Sequence, residues 1–333
     1  MAEGDKMEFE VAGTRCTGYL FRPVERSSRL PAIVMAHGFS GTQQGSLART
    51  ARDFANAGFA VFTFDYRGFG ESDGAPRQVI DIAAQLADWT AAVTFVRGFE
   101  IVDHNRVVLW GSSLSGAHVV HVAAHDPIIA AVVAQVPFNG FPSRVEGRSA
   151  TESIGLFWVA LRDRARALLG RRPLYVPVVG RPGERAIITT DRAGTIVAAL
   201  QGSHWENRVA PRVILDMIFG HRPGSVAHQL KMPLLVCVAE RDAHTPPKLA
   251  CMIAERAQRG EVRSYPCSHF DIYEEPMRQT VVADQIHFLN RALPATAIEI
   301  SRARPPAKKM IIRSWRCLDR EPRSIPHQIR AMP

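Results

Sequence analysis

The stretch RVVLWGSSLSGAHVVHVAAHD (residues 106–126) runs from a β pattern into a helical one with only a Gly/Ser turn between. VVLW reads as a buried strand, and the apolar spacing after the turn reads as a helix. A strand–turn–helix of this kind holds its central residue in a strained backbone conformation, so the residues two before and two after it must be small. Gly111 and Ser115 stand at that spacing around Ser113, which makes Ser113 the candidate nucleophile. Ser115 departs from the G-x-S-x-G pattern, but serine is small and Gly116 follows at once. Ser112 and Ser115 are rivals, yet neither has small residues on both sides at a strand end.

Outward from this stretch, short apolar runs alternate with helical patterns. The runs are AIVMA (32–36), FAVFTF (59–64), IIAAVVAQV (128–136), LLVCVA (234–239) and a weaker VRSY (262–265). Runs apolar on both faces suit strands buried in a parallel sheet. Helical spacing covers 46–57, closed by Asn56-Ala57-Gly58, and 80–97. Residues 7–22 alternate around Gly13 and predict an antiparallel hairpin. The alternation predicts an α/β fold with an open, mostly parallel, doubly wound sheet. Residues 140–228 break the rhythm with a helix-like stretch at 154–170, Pro- and Gly-punctuated segments and a further helical pattern near 209–219. They are read as an inserted, largely helical cap. The core is then 1–139 and 229–294, followed by a Pro-containing basic tail, 295–333, expected to be flexible.

A serine hydroxyl needs a base, and the base needs a carboxylate to orient it. SHFDIY (268–273) after the last apolar run offers His269, and AERD (239–242) places Asp242 just beyond a buried strand. Glu240 is the runner-up acid, and Asp271 is too near His269 in sequence to be preferred. HGFSG (37–41) ends another buried strand, and its glycines allow close backbone approach. The amides of Phe39 and Leu114 are the expected oxyanion donors. His37 has two readings, a brace for its loop or a substrate contact. Phe157 and Trp158 could line an acyl pocket or close the core of the cap.

HGFSG (37–41), FDYRGFGESDG (64–74), WGSSLSGAH (110–118), AERDAHTPP (239–247) and SHFDIY (268–273) resemble the α/β-hydrolase superfamily. The likeness points to prokaryotic serine hydrolases with features of X-Pro dipeptidyl-peptidase-like and dienelactone-hydrolase-like enzymes. It covers roughly residues 9–139 and 229–293. It implies an α/β-hydrolase fold, no cofactor, cleavage of esters, thioesters or amides, and a structural role for Asp65. The resulting expectation is a carboxylic-ester hydrolase working through an acyl-enzyme on Ser113, His269 and Asp242. A thioesterase or peptidase with the same triad is the alternative within enzymes, and a non-catalytic binding protein the alternative outside them.

The chain has 333 residues and a formal net charge of +9. Nine Lys/Arg against three Asp/Glu fall in residues 295–333, so the basic excess is concentrated outside the recognisable core and argues against a nucleic-acid partner. The expected partner is a small-molecule acyl substrate, with a homo-oligomer left open. Five scattered cysteines without a C-x-x-C pair suit reduced thiols and a cytoplasmic location. The first residues lack an apolar signal core, and no run approaches the ~18 apolar residues of a membrane span. His118, His121 and His125 share a helical face, but without further ligands they read as packing or surface groups, so no metal is expected. The arginines of LRDRARALLGRR (161–172) read either as an anionic contact or as a solvated basic face.

Overall fold

The structure is a computed structural model, and it describes residues 4–23, 29–143, 145, 147–200 and 204–293. The hairpin forms from β1 (Gly4–Val11) and β2 (Thr14–Phe21). Its two-residue turn has Ala12 and Gly13 both at positive φ, the geometry that matches the twist of paired strands. Then follow β3 (Leu30–Ala36), α1 (Ser46–Asn56), β4 (Ala60–Phe64), α2 (Ile82–Arg97), β5 (Val102–Ser112), α3 (Leu114–His125) and β6 (Ala131–Gln135). After the inserted segment come β9 (Leu234–Ala239), α7 (Pro247–Arg256), β10 (Gly260–Tyr265) and α8 (Met277–Ala292).

The sheet has eight strands in the order β1-β2-β4-β3-β5-β6-β9-β10, parallel from β4 through to β10 and antiparallel only at the hairpin end. Its apolar runs are continuous because both faces are buried. Val34, Leu109 and Val236 lie in one apolar cluster with Trp89 of α2, Val120 of α3 and Ile253 of α7. Met35, Trp110 and Leu235 lie in the other with Phe54 of α1 and Phe288 of α8. This is the doubly wound arrangement that the sequence predicts. Cys16, Cys237, Cys251 and Cys267 are buried thiols, and Cys317 lies outside the described residues.

Residues 140–228 lie between β6 and β9 and form helices at both of the stretches with helical patterning. They hold α4 (Ala150–Leu168), α5 (Ala193–Leu200) and α6 (Val213–Phe219). Between α4 and α5 the chain is extended, with one short parallel pair, β7 (Val179–Gly180) and β8 (Ile188–Thr189). Pro173, Pro177 and Pro182 keep this stretch out of a helix, because each removes a backbone donor and disfavours a helix through the residue before it. α4 begins where Ser149 and Glu152 form a reciprocal capping box. The tail expected at 295–333 lies outside the described residues.

Candidate active site

In an open α/β sheet the loops after parallel strands gather on one side, and that is where ligands bind. The expected residues follow four such strands: Phe39 after β3, Ser113 after β5, Asp242 after β9 and His269 after β10.

Ser113 has φ 57° and ψ −118°, a left-handed value that a residue with a Cβ adopts only when its surroundings impose it. Its backbone is clamped by β6 and the loop beyond: its amide donates to Gln135 O at 2.9 Å, and its carbonyl accepts from Phe138 N at 3.0 Å. The small flanking residues are a steric requirement here. A Cβ on Gly111 would lie 2.2 Å from the Ser115 carbonyl oxygen. Ser113 is half-buried, whereas Ser112 and Ser115 are buried and engaged elsewhere. The Ser115 hydroxyl pairs with Tyr66 Oη at 2.9 Å, and that oxygen accepts from Trp89 Nε1 at 2.8 Å. Ser112 Oγ pairs with Tyr273 Oη at 2.7 Å and accepts from Gln135 Nε2 at 3.2 Å. Both rival hydroxyls are thereby engaged in hydrogen bonds, the one at the glycine position of the motif in a buried one.

Asp242 and His269 meet at 2.7 Å, Oδ2 to Nδ1. The carboxylate is otherwise saturated. Oδ1 accepts the amides of His244 and Thr245, each at 2.8 Å, and Oδ2 accepts the Thr245 hydroxyl at 2.7 Å. Burial pushes the Asp242 carboxyl up, but the neighbouring His269 and the hydrogen bonds from His269 and Thr245 outweigh it and hold it below its ordinary value. With Nδ1 turned to the carboxylate, Nε2 is the ring nitrogen left for proton transfer. His244, whose ring centroid is 5.5 Å from that of His269, is held neutral by burial and by His269, its pKa brought down to about 4. Glu240 leaves its strand end exposed, and Asp271 accepts instead from the Ser268 amide and hydroxyl and from Arg192.

The loop of His269 reaches the turn of Ser113 through Tyr273. Its hydroxyl bonds Ser112, and its ring centroid lies 6.1 Å from that of His269. A polar chain continues from Ser112 through Gln135 and Gln285 to Trp110, tying β5, β6 and α8 under the turn. Sequence reading missed Thr245, Tyr273 and Gln135. Thr245 stands only three residues beyond Asp242, and an acceptor followed by a threonine in a tight turn was the one signal available.

Leu114 is the first residue of α3, so its amide has no acceptor within the helix. The loop carrying Phe39 lies against the same turn. A Cβ on Gly38 would come within 2.9 Å of the Ser112 carbonyl oxygen and 3.1 Å of Ser113 Cβ. His37, expected among the substrate contacts or as a brace, has the contacts of a brace. It is 5% exposed, its Nδ1–H donates to Gly38 O at 3.0 Å, and its ring packs edge-on to Tyr66. Asp65, expected to be structural, is buried and accepts from the Gln43 amide and side chain and from the Glu71 amide.

Phe157 packs against the main apolar cluster. Trp158 does not: it is 64% exposed on the side of α4 opposite Leu156 and Ala160, so it closes no core in the inserted segment. Two residues of that segment hold the site loops. Trp205 Nε1 donates to Ser40 O at 2.9 Å. Arg192 pairs with Asp271 at 2.5 Å and with Glu274, on either side of Ile272 just after His269. His118 is buried, with Nε2 on Gln85 Oε1 at 2.9 Å and Nδ1 on His221 Nε2 at 3.0 Å. Among the described residues no group of three or more His, Cys, Asp or Glu could hold a metal ion, and no helix is long and apolar enough to cross a membrane.

This chain is 38% identical over 291 residues to the quorum-quenching protein AidA of Acinetobacter baumannii (strain MDR-ZJ06), covering 86% of this chain and 95% of that one. Over 192 residues it is 33% identical to the thiohydrolase apmlB of Arthrinium phaeospermum, covering 56% of this chain and 59% of that protein. The structure of DcsB, solved with its substrate analogue, superposes with a TM-score of 0.75 at 23% identity, covering 87% of this chain and all of the other, a likeness of fold. Residues 28–276 match the α/β-hydrolase family described as serine aminopeptidase, S33. That span is well over half of the chain, and it makes this protein a member of that family.

Proposed function

We propose that the protein hydrolyses carboxylic esters through an acyl-enzyme on Ser113. The observation that carries this reading is the pairing of a saturated, buried Asp242 with His269, on a loop that Tyr273 joins to the strained turn of Ser113. Ser113 Oγ attacks the acyl carbonyl carbon while His269 Nε2 takes its proton, and Asp242 stabilises the imidazolium. The negative charge on the carbonyl oxygen is met by the Phe39 and Leu114 amides, fixed before reaction and worth roughly 10²–10³ in rate per donor. Collapse breaks the ester C–O bond, and His269 returns the proton to the departing alcohol. Water then gives a proton to His269 and its oxygen to the acyl carbon, and His269 passes that proton to Ser113 Oγ as the acyl C–O bond to Ser113 breaks, releasing the acid.

A second reading, thioester cleavage by the same groups, draws support from the thiohydrolase among the relatives. The triad does not separate them, because the leaving group differs and the attacked carbonyl does not. A panel of nitrophenyl esters, acyl thioesters and aminoacyl amides, assayed on wild type and Ser113→Ala, distinguishes them. The ester reading expects the highest kcat/KM on esters and its loss in the variant. Thioester turnover well above ester turnover would replace it, and equal turnover by Ser113→Ala would remove both.

A further inference from the structure

The outer face of α4 has a composition that a solvated helix face lacks. Its inner face packs through Leu156 and Ala160 and through Asp163, which is buried and paired with Arg212 at 2.7 Å. A surface helix normally turns charged and polar residues outward. Here the opposite side carries Ile154, Trp158, Ala165 and Leu169 at helical spacing, and Leu168 beside them. Ile154 is 59% exposed, Trp158 64%, Leu168 82% and Leu169 68%. Alongside α4, joined to it by the Arg164–Asp216 pair, α6 ends in Phe219, which is 74% exposed. Among the described residues, seven of the eight exposed large apolar side chains fall within 140–228.

Charge is distributed the same way. Residues 140–228 hold thirteen Arg and seven Asp/Glu, an excess of +6, whereas the flanking 1–139 and 229–294 together are at −3. Arg162, Arg166, Arg171 and Arg172 lie on α4 or just after it, and the one acid inside 153–172, Asp163, is buried and neutralised. An exposed Trp and Leu stripe bordered by arginines is the pattern of a helix lying in a lipid interface, with the apolar side chains in the acyl boundary and the cations at anionic headgroups. A second copy of the chain on this face would set these arginines against their own equivalents, because a two-fold interface meets itself. We propose that the outer face of α4 docks on an anionic phospholipid bilayer and holds the inserted segment at its surface.

The test is co-sedimentation of the full chain with vesicles of phosphatidylcholine alone and of phosphatidylcholine with 40% phosphatidylglycerol, at physiological salt. The expected result is binding to the anionic vesicles and little to the neutral ones. Trp158→Glu/Leu169→Glu is expected to lower anionic binding tenfold or more, and Arg171→Ala/Arg172→Ala by about tenfold. These side chains are solvent-exposed, so circular dichroism should show the variants folded. The proposal is overturned by failure to bind anionic vesicles. It is equally overturned if Trp158→Glu/Leu169→Glu changes binding less than threefold, which would assign binding to the basic residues 295–333. A dimer in sedimentation velocity that the same variant dissociates would assign the face to a second copy.

Discussion

The sheet and the inserted segment use the same residue types in opposite ways. In the sheet, β3, β5 and β9 bury their apolar side chains on both faces, and the expected catalytic residues stand at strand ends braced by hydrogen bonds from neighbouring strands. In residues 140–228 large apolar side chains face solvent, arginines outnumber acids, and the chain between helices is extended. The contrast separates two tasks. A packed layer fixes the strained turn at Ser113, because a conformation that costs of order 1–3 kcal/mol persists only where the surroundings over-determine it. The inserted segment packs part of its apolar side chains into the cluster beneath it and holds the site loops through Arg192 and Trp205.

Ser113 carries the greatest predicted change in activity. Ser113→Ala is expected to lower kcat/KM for a nitrophenyl ester by about 10⁴–10⁶, leaving the turnover the oxyanion donors alone support. Asp242→Asn should cost about 10³–10⁴ by the same assay, since His269 loses the acceptor that fixes its tautomer. Gly111→Ala tests the packed layer itself. Its Cβ has backbone, not a flexible side chain, at 2.2 Å, so a loss of more than about 3 kcal/mol in urea unfolding is expected.

His221 tests the seam between the two regions, because it joins the end of α6 to His118 in α3. Burial, with His121 adding to it, brings its pKa to about 4. A group depressed in the fold contributes stability at pH above its ordinary value of 6.5, and that contribution is lost as pH falls toward 4. His221→Gln keeps an N–H donor for His118 and should remove up to roughly 3 kcal/mol of the acid sensitivity between pH 6.5 and 4, read as urea midpoints. The smallest effect is expected at the latch. Arg192 is 41% exposed at its side chain, so Arg192→Ala should cost no more than about 1 kcal/mol of stability and change kcat/KM only a few-fold.

What was legible in the sequence follows the same division. The strands, the hairpin turn at Ala12-Gly13 and the turn around Ser113 are written in local patterns, since burial on both faces and a steric limit on neighbours leave marks within a few residues. Asp242 and His269 were legible because each follows its own strand. Thr245 left only the local mark of a threonine three residues after an acceptor, and Tyr273 left none, because its partner Ser112 lies 161 positions away. Arg192 meets Asp271 across 79 positions and Trp205 meets Ser40 across 165, distances over which one sequence carries no pattern. Pro173, Pro177 and Pro182 mark the extended stretch between α4 and α5 in the sequence itself. The basic excess stands out in residues 295–333, while the remainder divides between a basic 140–228 and an acidic core.

The most direct test of the account is covalent. A serine-directed fluorophosphonate should add one phosphonyl group to the native protein, and peptide mass mapping should place it on Ser113, with Ser113→Ala and heat-unfolded protein unlabelled. Label on Ser112 or Ser115, or equal labelling of Ser113→Ala, would contradict it.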